Sequence, residues 1–185
     1  MPASAVLGCG RHLPARTVTN EELARNLGAS GARLAELTGV TRRHHADDGH
    51  GPSDLAREAA LAALAGAGLA PADVDLIVFA TMTPDVAFPG SGCYLQNKLG
   101  CRTVGALDVR AQCAGFLFAL ATADRFIRAG AAARVLVAGG EVHSTALDYS
   151  PRAADVTPWF GDGAAAVLLG PASAPGALTT PSWAT

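Results

Sequence analysis

A chain of 185 residues that is 50% hydrophobic and 16% charged, with a formal net charge of −2, is long enough for one domain with a sizeable core. That balance gives no sign of disorder, and with no basic stripe beyond the short "TRRHH" it argues against nucleic acid as a main partner. No stretch has the order of a secretory signal, no apolar run spans a bilayer, and the four cysteines form no CxxC pair, so the reading is reduced thiols in the cytoplasm.

In chain order, Ala3–Cys9 reads as a short strand closed by the Gly and Pro of "GCGRHLP". "TNEELARNLG" predicts a helix with Asn20 as N-cap and Glu21 and Glu22 in the first turn. A second short helix near Ala32–Leu37 ends at Gly39. "RRHHADDGH" gathers His44, His45, Asp47, Asp48 and His50, all of ligand type. Adjacent ligands on a loop rarely converge on one ion, so a solvated loop is expected there, with no metal site. "PSDLAREAALAALAGAGL" predicts an amphipathic helix capped by Ser53 and stopped at Gly68. "VDLIVFAT" does not alternate, as in a strand buried on both faces. The loop "MTPDVAFPGSG" then leads to a helix around Cys93–Leu99. A strand at Thr103–Val109, a helix at Ala114–Ile127, the strand "ARVLVAGGE" and a last strand at Ala164–Leu169 complete the pattern. Strands alternating with helices predict an α/β fold with a largely parallel sheet.

Few motifs carry chemistry. Gly8 and Gly10 supply part of a dinucleotide fingerprint, but the third glycine is missing and Pro14 stands where a helix would start. Neither a phosphate-binding G-x-x-x-x-G-K-[ST] nor a G-x-S-x-G elbow occurs. "FGDG" reads as a tight turn into a strand, with Asp162 bracing the turn through its own backbone N–H groups. Cys113, in "DVRAQCAGFLFAL", falls between a buried strand and the start of a helix. Unpaired N–H groups there carry partial positive charge and can lower a thiol pKa, and the setting follows the logic of a nucleophile elbow. A free cysteine is also a common small hydrophobe, so the local residues leave both readings open. "CAGFLFALA" is apolar all the way round, so its helix needs cover on more than one side.

"GCGRHLP", "VTNEEL", "TGVTRRH", "DLIVFATMTPDVAFP", "DVRAQCAGFLFAL", "RVLVAGGE" and "FGDGAAAVLLG", in this order over nearly the whole chain, resemble the amino-terminal half of the β-ketoacyl-[acyl carrier protein] synthase III family, in the thiolase-like superfamily. The resemblance implies that residues 1–185 are one half of a five-layer αβαβα fold with a mixed, largely parallel sheet. It implies that Cys113 accepts an acyl group from a thioester, which then condenses with the carbanion left when a malonyl-carrier thioester loses carbon dioxide. A histidine and an asparagine that assist this step belong to the family's carboxy-terminal half, and His143 has no such role. Phe88 matches a phenylalanine that reaches across a dimer into the partner's acyl pocket, with core packing as the plain alternative. Arg152 matches an arginine flanking the coenzyme A adenine. Arg33 stands where the family often has a stacking tryptophan, and Leu37 replaces a nearby arginine, which makes a carrier-protein primer plausible. The implied partners are acyl carrier protein, an acyl thioester, and a second copy or a chain with the other half; no resident cofactor, nucleic acid or membrane is implied. Two readings stand beside condensation: an acyltransferase passing the acyl group from cysteine to oxygen or nitrogen, and a non-catalytic partner subunit.

Overall fold

A computed structural model describes residues 4–172. The elements, in chain order, are β1 (Ser4–His12), β2 (Arg16–Thr19), α1 (Asn20–Leu27), α2 (Gly31–Thr38), β3 (Arg42–His45), α3 (Pro52–Gly66), β4 (Leu76–Ala80), α4 (Ser91–Leu99), β5 (Gly105–Val109), α5 (Gly115–Arg128), β6 (Val135–Val142) and β7 (Asp162–Pro171). Ala3, where the first strand was expected to begin, lies outside the described residues.

The main sheet has the order β1-β7-β6-β4-β5. β4 runs parallel to both β5 and β6, whereas β7 is antiparallel to β6 and to β1. The sheet is therefore mixed, as expected, with its parallel part confined to three adjacent strands. β4 sits inside that part, and all five of its residues are buried, matching its unbroken apolar run.

Helices α3 and α4 cover one face of the sheet. Ala59, Ala60 and Ala63 of α3 are wholly buried there with Ile77, Phe79, Leu95 and Leu136. Gly8 and Gly10 of β1 explain how closely α3 approaches: a Cβ at either would collide with the carbonyl oxygen of Ala63 or Ala59. The two glycines that mimic a nucleotide fingerprint serve helix-on-sheet packing. On the opposite face α5 lays Ala119, Ala123 and Ile127 over Val78, Val135 and Val137. These helices and the sheet between them give three layers.

The structure corrects five local expectations. The strand before Cys113 is not a buried one: β5 is an edge of the sheet, and none of its residues is fully buried. Arg42–His45 is not a solvated loop but the strand β3, paired antiparallel with β2. Arg43 and His45 alternate inward and are buried, a period of two that their polarity conceals. Arg43 is accepted inside because its guanidinium donates to Asn20 Oδ1 (2.7 Å) and the Pro158 carbonyl (3.1 Å). Asn20 is consequently not the N-cap of α1. Thr19 caps it by accepting the Glu22 N–H (3.2 Å), while the Asn20 amide donates to the Val40 carbonyl (2.7 Å). Ser53 does not cap α3 either: the N-cap is Gly51, whose N–H donates to Asp54 (2.9 Å), and Pro52 opens the helix. Asp162, finally, braces other segments rather than its own turn. Its buried carboxylate accepts the Ala46 N–H (2.7 Å) and both the N–H (2.9 Å) and hydroxyl (2.5 Å) of Ser144.

Candidate active site

The parallel strands β4, β5 and β6 bring their carboxyl ends to one edge of the sheet, where open α/β folds place their sites. β5 ends at Val109, and after three more residues Cys113 follows within a single 3-10 turn, Gln112–Ala114, that leads directly into α5. In that turn the Ala114 N–H donates to the Ala111 carbonyl (3.1 Å), and the Gly115 N–H donates to that of Gln112. Gln112 has φ 45°, the sole positive φ on a non-glycine among the described residues. A glutamine held there is strained by about 1–2 kcal/mol. The strain sits one residue before the thiol, where the chain turns sharply enough to hold Cys113 outward. Cys113 is exposed, so the structure answers the question the residues left open: this cysteine is not a core hydrophobe.

The thiol borders a cleft of about 370 Å³ whose walls include Gln112, Phe116, Gly140, Glu141 and Gly163. A Cβ at Gly139 would strike the Phe116 ring at 2.8 Å, so this glycine lets the ring lie directly against β6 at the cleft wall. Among the described residues no histidine or asparagine lines it. His143 packs its ring against Phe160 instead, with centroids 4.9 Å apart. Burial pushes the Cys101 thiol up from its ordinary value, with Arg102 opposing, so Cys101 is the poorer nucleophile.

Neither Phe88 nor Arg152 is among the residues lining this cleft. Phe88 projects from the loop between β4 and α4 at 90% exposure, which removes core packing within this chain as its role. Arg152 is exposed on a 3-10 turn, Pro151–Ala153, which lies against α1. Arg33 is exposed on α2 and pairs with Glu36 (3.3 Å). Sequence reading gave no role to Gln112 or Glu141. The first left no signal, since glutamine has no preference for positive φ; the second left one, an acid near the end of a largely buried strand.

Fold and site together define a thiolase-like α/β protein with an exposed cysteine in the turn that opens α5. A family profile described as 3-oxoacyl-[acyl-carrier-protein (ACP)] synthase III matches residues 107–183. The β-ketoacyl-[acyl-carrier-protein] synthase III of Rhodospirillum centenum is 51% identical over 166 residues, 90% of this chain and 51% of that protein. The crystal structure of 3-oxoacyl-(acyl carrier protein) synthase III from Pseudomonas aeruginosa PAO1 superposes with a TM-score of 0.88 at 40% identity, over 95% of this chain and 55% of that one. The priming β-ketosynthase of the R1128 polyketide pathway gives a TM-score of 0.88 at 33% identity, over 94% and 52%. The chain belongs to the β-ketoacyl-[acyl carrier protein] synthase III family. It spans about half the length of the curated relatives it matches. No helix among the described residues is long and apolar enough to cross a membrane.

Proposed function

We propose that residues 1–185 form the amino-terminal half of a ketosynthase III-like condensing enzyme and carry its acyl-accepting nucleophile, Cys113. The observation that supports this most is the exposed thiol at a strained strand–turn–helix junction, facing an open cleft at the carboxyl ends of parallel strands. In the first step the thiolate attacks the carbonyl carbon of an acyl thioester. A bond forms from Cys113 Sγ to that carbon, the old thioester bond breaks, and the carrier thiol leaves with a proton. Backbone N–H groups at the helix start would hold the oxyanion. In the second step a malonyl-carrier thioester loses carbon dioxide. Its α-carbon bonds to the acyl carbon, and Cys113 leaves as thiolate.

The histidine and asparagine for decarboxylation would come from a carboxy-terminal half, in keeping with a cleft that has neither among the described residues. All bonds made and broken are thioester and carbon–carbon bonds, so no resident cofactor is called for. We assign acyl carrier protein as partner, the cytoplasm as compartment and a two-fold dimer as the assembly. In that dimer Phe88 would enter the partner's acyl pocket, and Arg152 would flank the donor's nucleotide or carrier arm. The same cleft composition favours one second reading, an acyltransferase that stops at the acyl-cysteine and passes the group to oxygen or nitrogen.

Mass spectrometry after incubation with acyl thioesters tests the shared first step. The peptide containing Cys113 should gain one acyl group, and malonyl-carrier thioester should discharge it as a β-ketoacyl product. Discharge to an amine or alcohol alone would replace condensation by simple acyl transfer. No adduct at all would leave a non-catalytic subunit.

A further inference from the structure

The loop that carries Phe88 is held at two places by carboxylates from other elements or from the loop itself. Near its middle, Asp85 accepts the hydroxyl (2.7 Å) and N–H (3.3 Å) of Ser53, and its own N–H donates to Ser91 Oγ (3.0 Å). At the start of the loop the acceptor is Glu141 of β6. Its Oε1 accepts the Met82 N–H (2.8 Å). Its Oε2 accepts the Thr83 hydroxyl (2.6 Å), the Thr83 N–H (3.0 Å) and the Thr81 hydroxyl (3.2 Å). The Thr83 hydroxyl accepts in turn from the Val142 N–H (2.9 Å), tying the loop to β6. A carboxylate offers about four acceptor sites. All four donors come from Thr81–Thr83, so the carboxylate is engaged with the loop even though Glu141 lines the cleft beside Cys113.

We propose that Glu141 is a positioning residue that couples the wall of the Cys113 cleft to the Phe88 loop. By fixing Thr81–Thr83 it sets where Phe88 is presented, so it governs which acyl chains are accepted and not the attack by Cys113. The proposal rests on the reading of Cys113 as acyl acceptor and Phe88 as an acyl-pocket residue. A carboxylate suits the position: four donors converge on it, and a glutamine of the same shape would turn its own donors toward at least one of them.

The test uses Glu141→Gln, Phe88→Ala and the double variant in the full-length protein, with two readouts. Hydrogen exchange of the peptide spanning 82–90 should speed up by about tenfold or more in E141Q, the loss expected for hydrogen bonds to a charged acceptor. Loading of Cys113 by a series from acetyl to octanoyl thioesters should show E141Q changing the short-to-long ratio several-fold. That change should vanish when Phe88 is already alanine, the non-additivity that marks two residues acting as one. Additive effects overturn the proposal, as does an equal slowing of every donor or unchanged exchange in the loop. Should E141Q fail to fold, Thr83→Val removes one of the same bonds and is judged by the same two readouts. A wild-type protein that takes no acyl group sinks the functional reading instead, and exchange in the loop still decides the positional half.

Discussion

The two faces of the central sheet are built from similar residues and end in opposite states. On the α3 face, alanines meet glycines so closely that no side chain fits between them, and Ala56, Ala59, Ala60 and Ala63 are all at 0% exposure. On the α5 face, the inward stripe is equally well buried, but Leu117 is 59% and Phe118 39% exposed, and Leu107 on the edge strand β5 is 41% exposed. The strained turn and the thiol belong to this second face. One side of the sheet is covered within the described residues; the other leaves large apolar side chains exposed there.

The largest expected effect is at the thiol. Cys113→Ala should fold with an unchanged melting profile, since the side chain is exposed, yet lose acyl loading altogether. Loading that survives the substitution would move the nucleophile elsewhere and strip the open face of its chemical meaning.

Next comes the contrast in packing. Gly10→Val should destabilise the chain by about 3 kcal/mol or more, because the carbonyl of Ala59 cannot withdraw without shifting α3. Leu117→Lys on the open face should stay within about 0.5 kcal/mol in chemical denaturation of residues 1–185. That same variant should bind less of a hydrophobic dye than the unaltered 1–185 chain. A Leu117→Lys variant as damaging as G10V would mean that α5 is already covered within this chain.

Thiol labelling sharpens the comparison at smaller amplitude. Iodoacetamide should modify Cys113, exposed at a helix start, ahead of Cys101, which is half-buried and whose thiol burial pushes up. Peptide mapping at early times gives the order, and labelling of Cys101 first would remove the helix start as the source of reactivity.

Much of this architecture was legible from residue types. An amphipathic pattern located α3, and unbroken apolar runs located β4, α5 and β6, because burial selects apolar residues in each. The strand–turn–helix junction marked Cys113 for the same reason. Polarity hid β3, where Arg43 is buried through hydrogen-bond partners distant in sequence, Pro158 among them, and His45 is buried edge-on to the Tyr149 ring. Capping chemistry misplaced Asn20 and Ser53: both are good caps in isolation, but each was drawn into a tertiary hydrogen bond, with Val40 and Asp85 respectively. Asp162 failed similarly, since Ala46 and Ser144 reach it only once the paired strands β2 and β3 and the strand β6 are in place. Local signals read well where a side chain answers to its own element, and poorly where a polar group answers to another.

The smallest expected effect is in the pH dependence of stability, and it separates those two kinds of polar group. Burial depresses the His45 pKa below its ordinary 6.5; Asp162 and Glu22 oppose this, while Arg16 and Arg43 add to it. The folded chain then binds fewer protons than the unfolded one just below pH 6.5, so stability present above that value is lost as the pH falls toward the folded pKa. Asp54 acts in a lower window. Burial alone would raise its pKa, but hydrogen bonds from Lys98 and the Gly51 N–H, with the Lys98 charge, hold it below the ordinary 3.8. Its contribution is intact above pH 3.8 and disappears as pH falls through the folded value. Urea midpoints measured from neutral to acid pH should show both declines. His45→Leu should flatten the upper one alone and Lys98→Met should weaken the lower one alone. An upper decline that persists in H45L would remove the buried His45 as its source and assign it to another histidine.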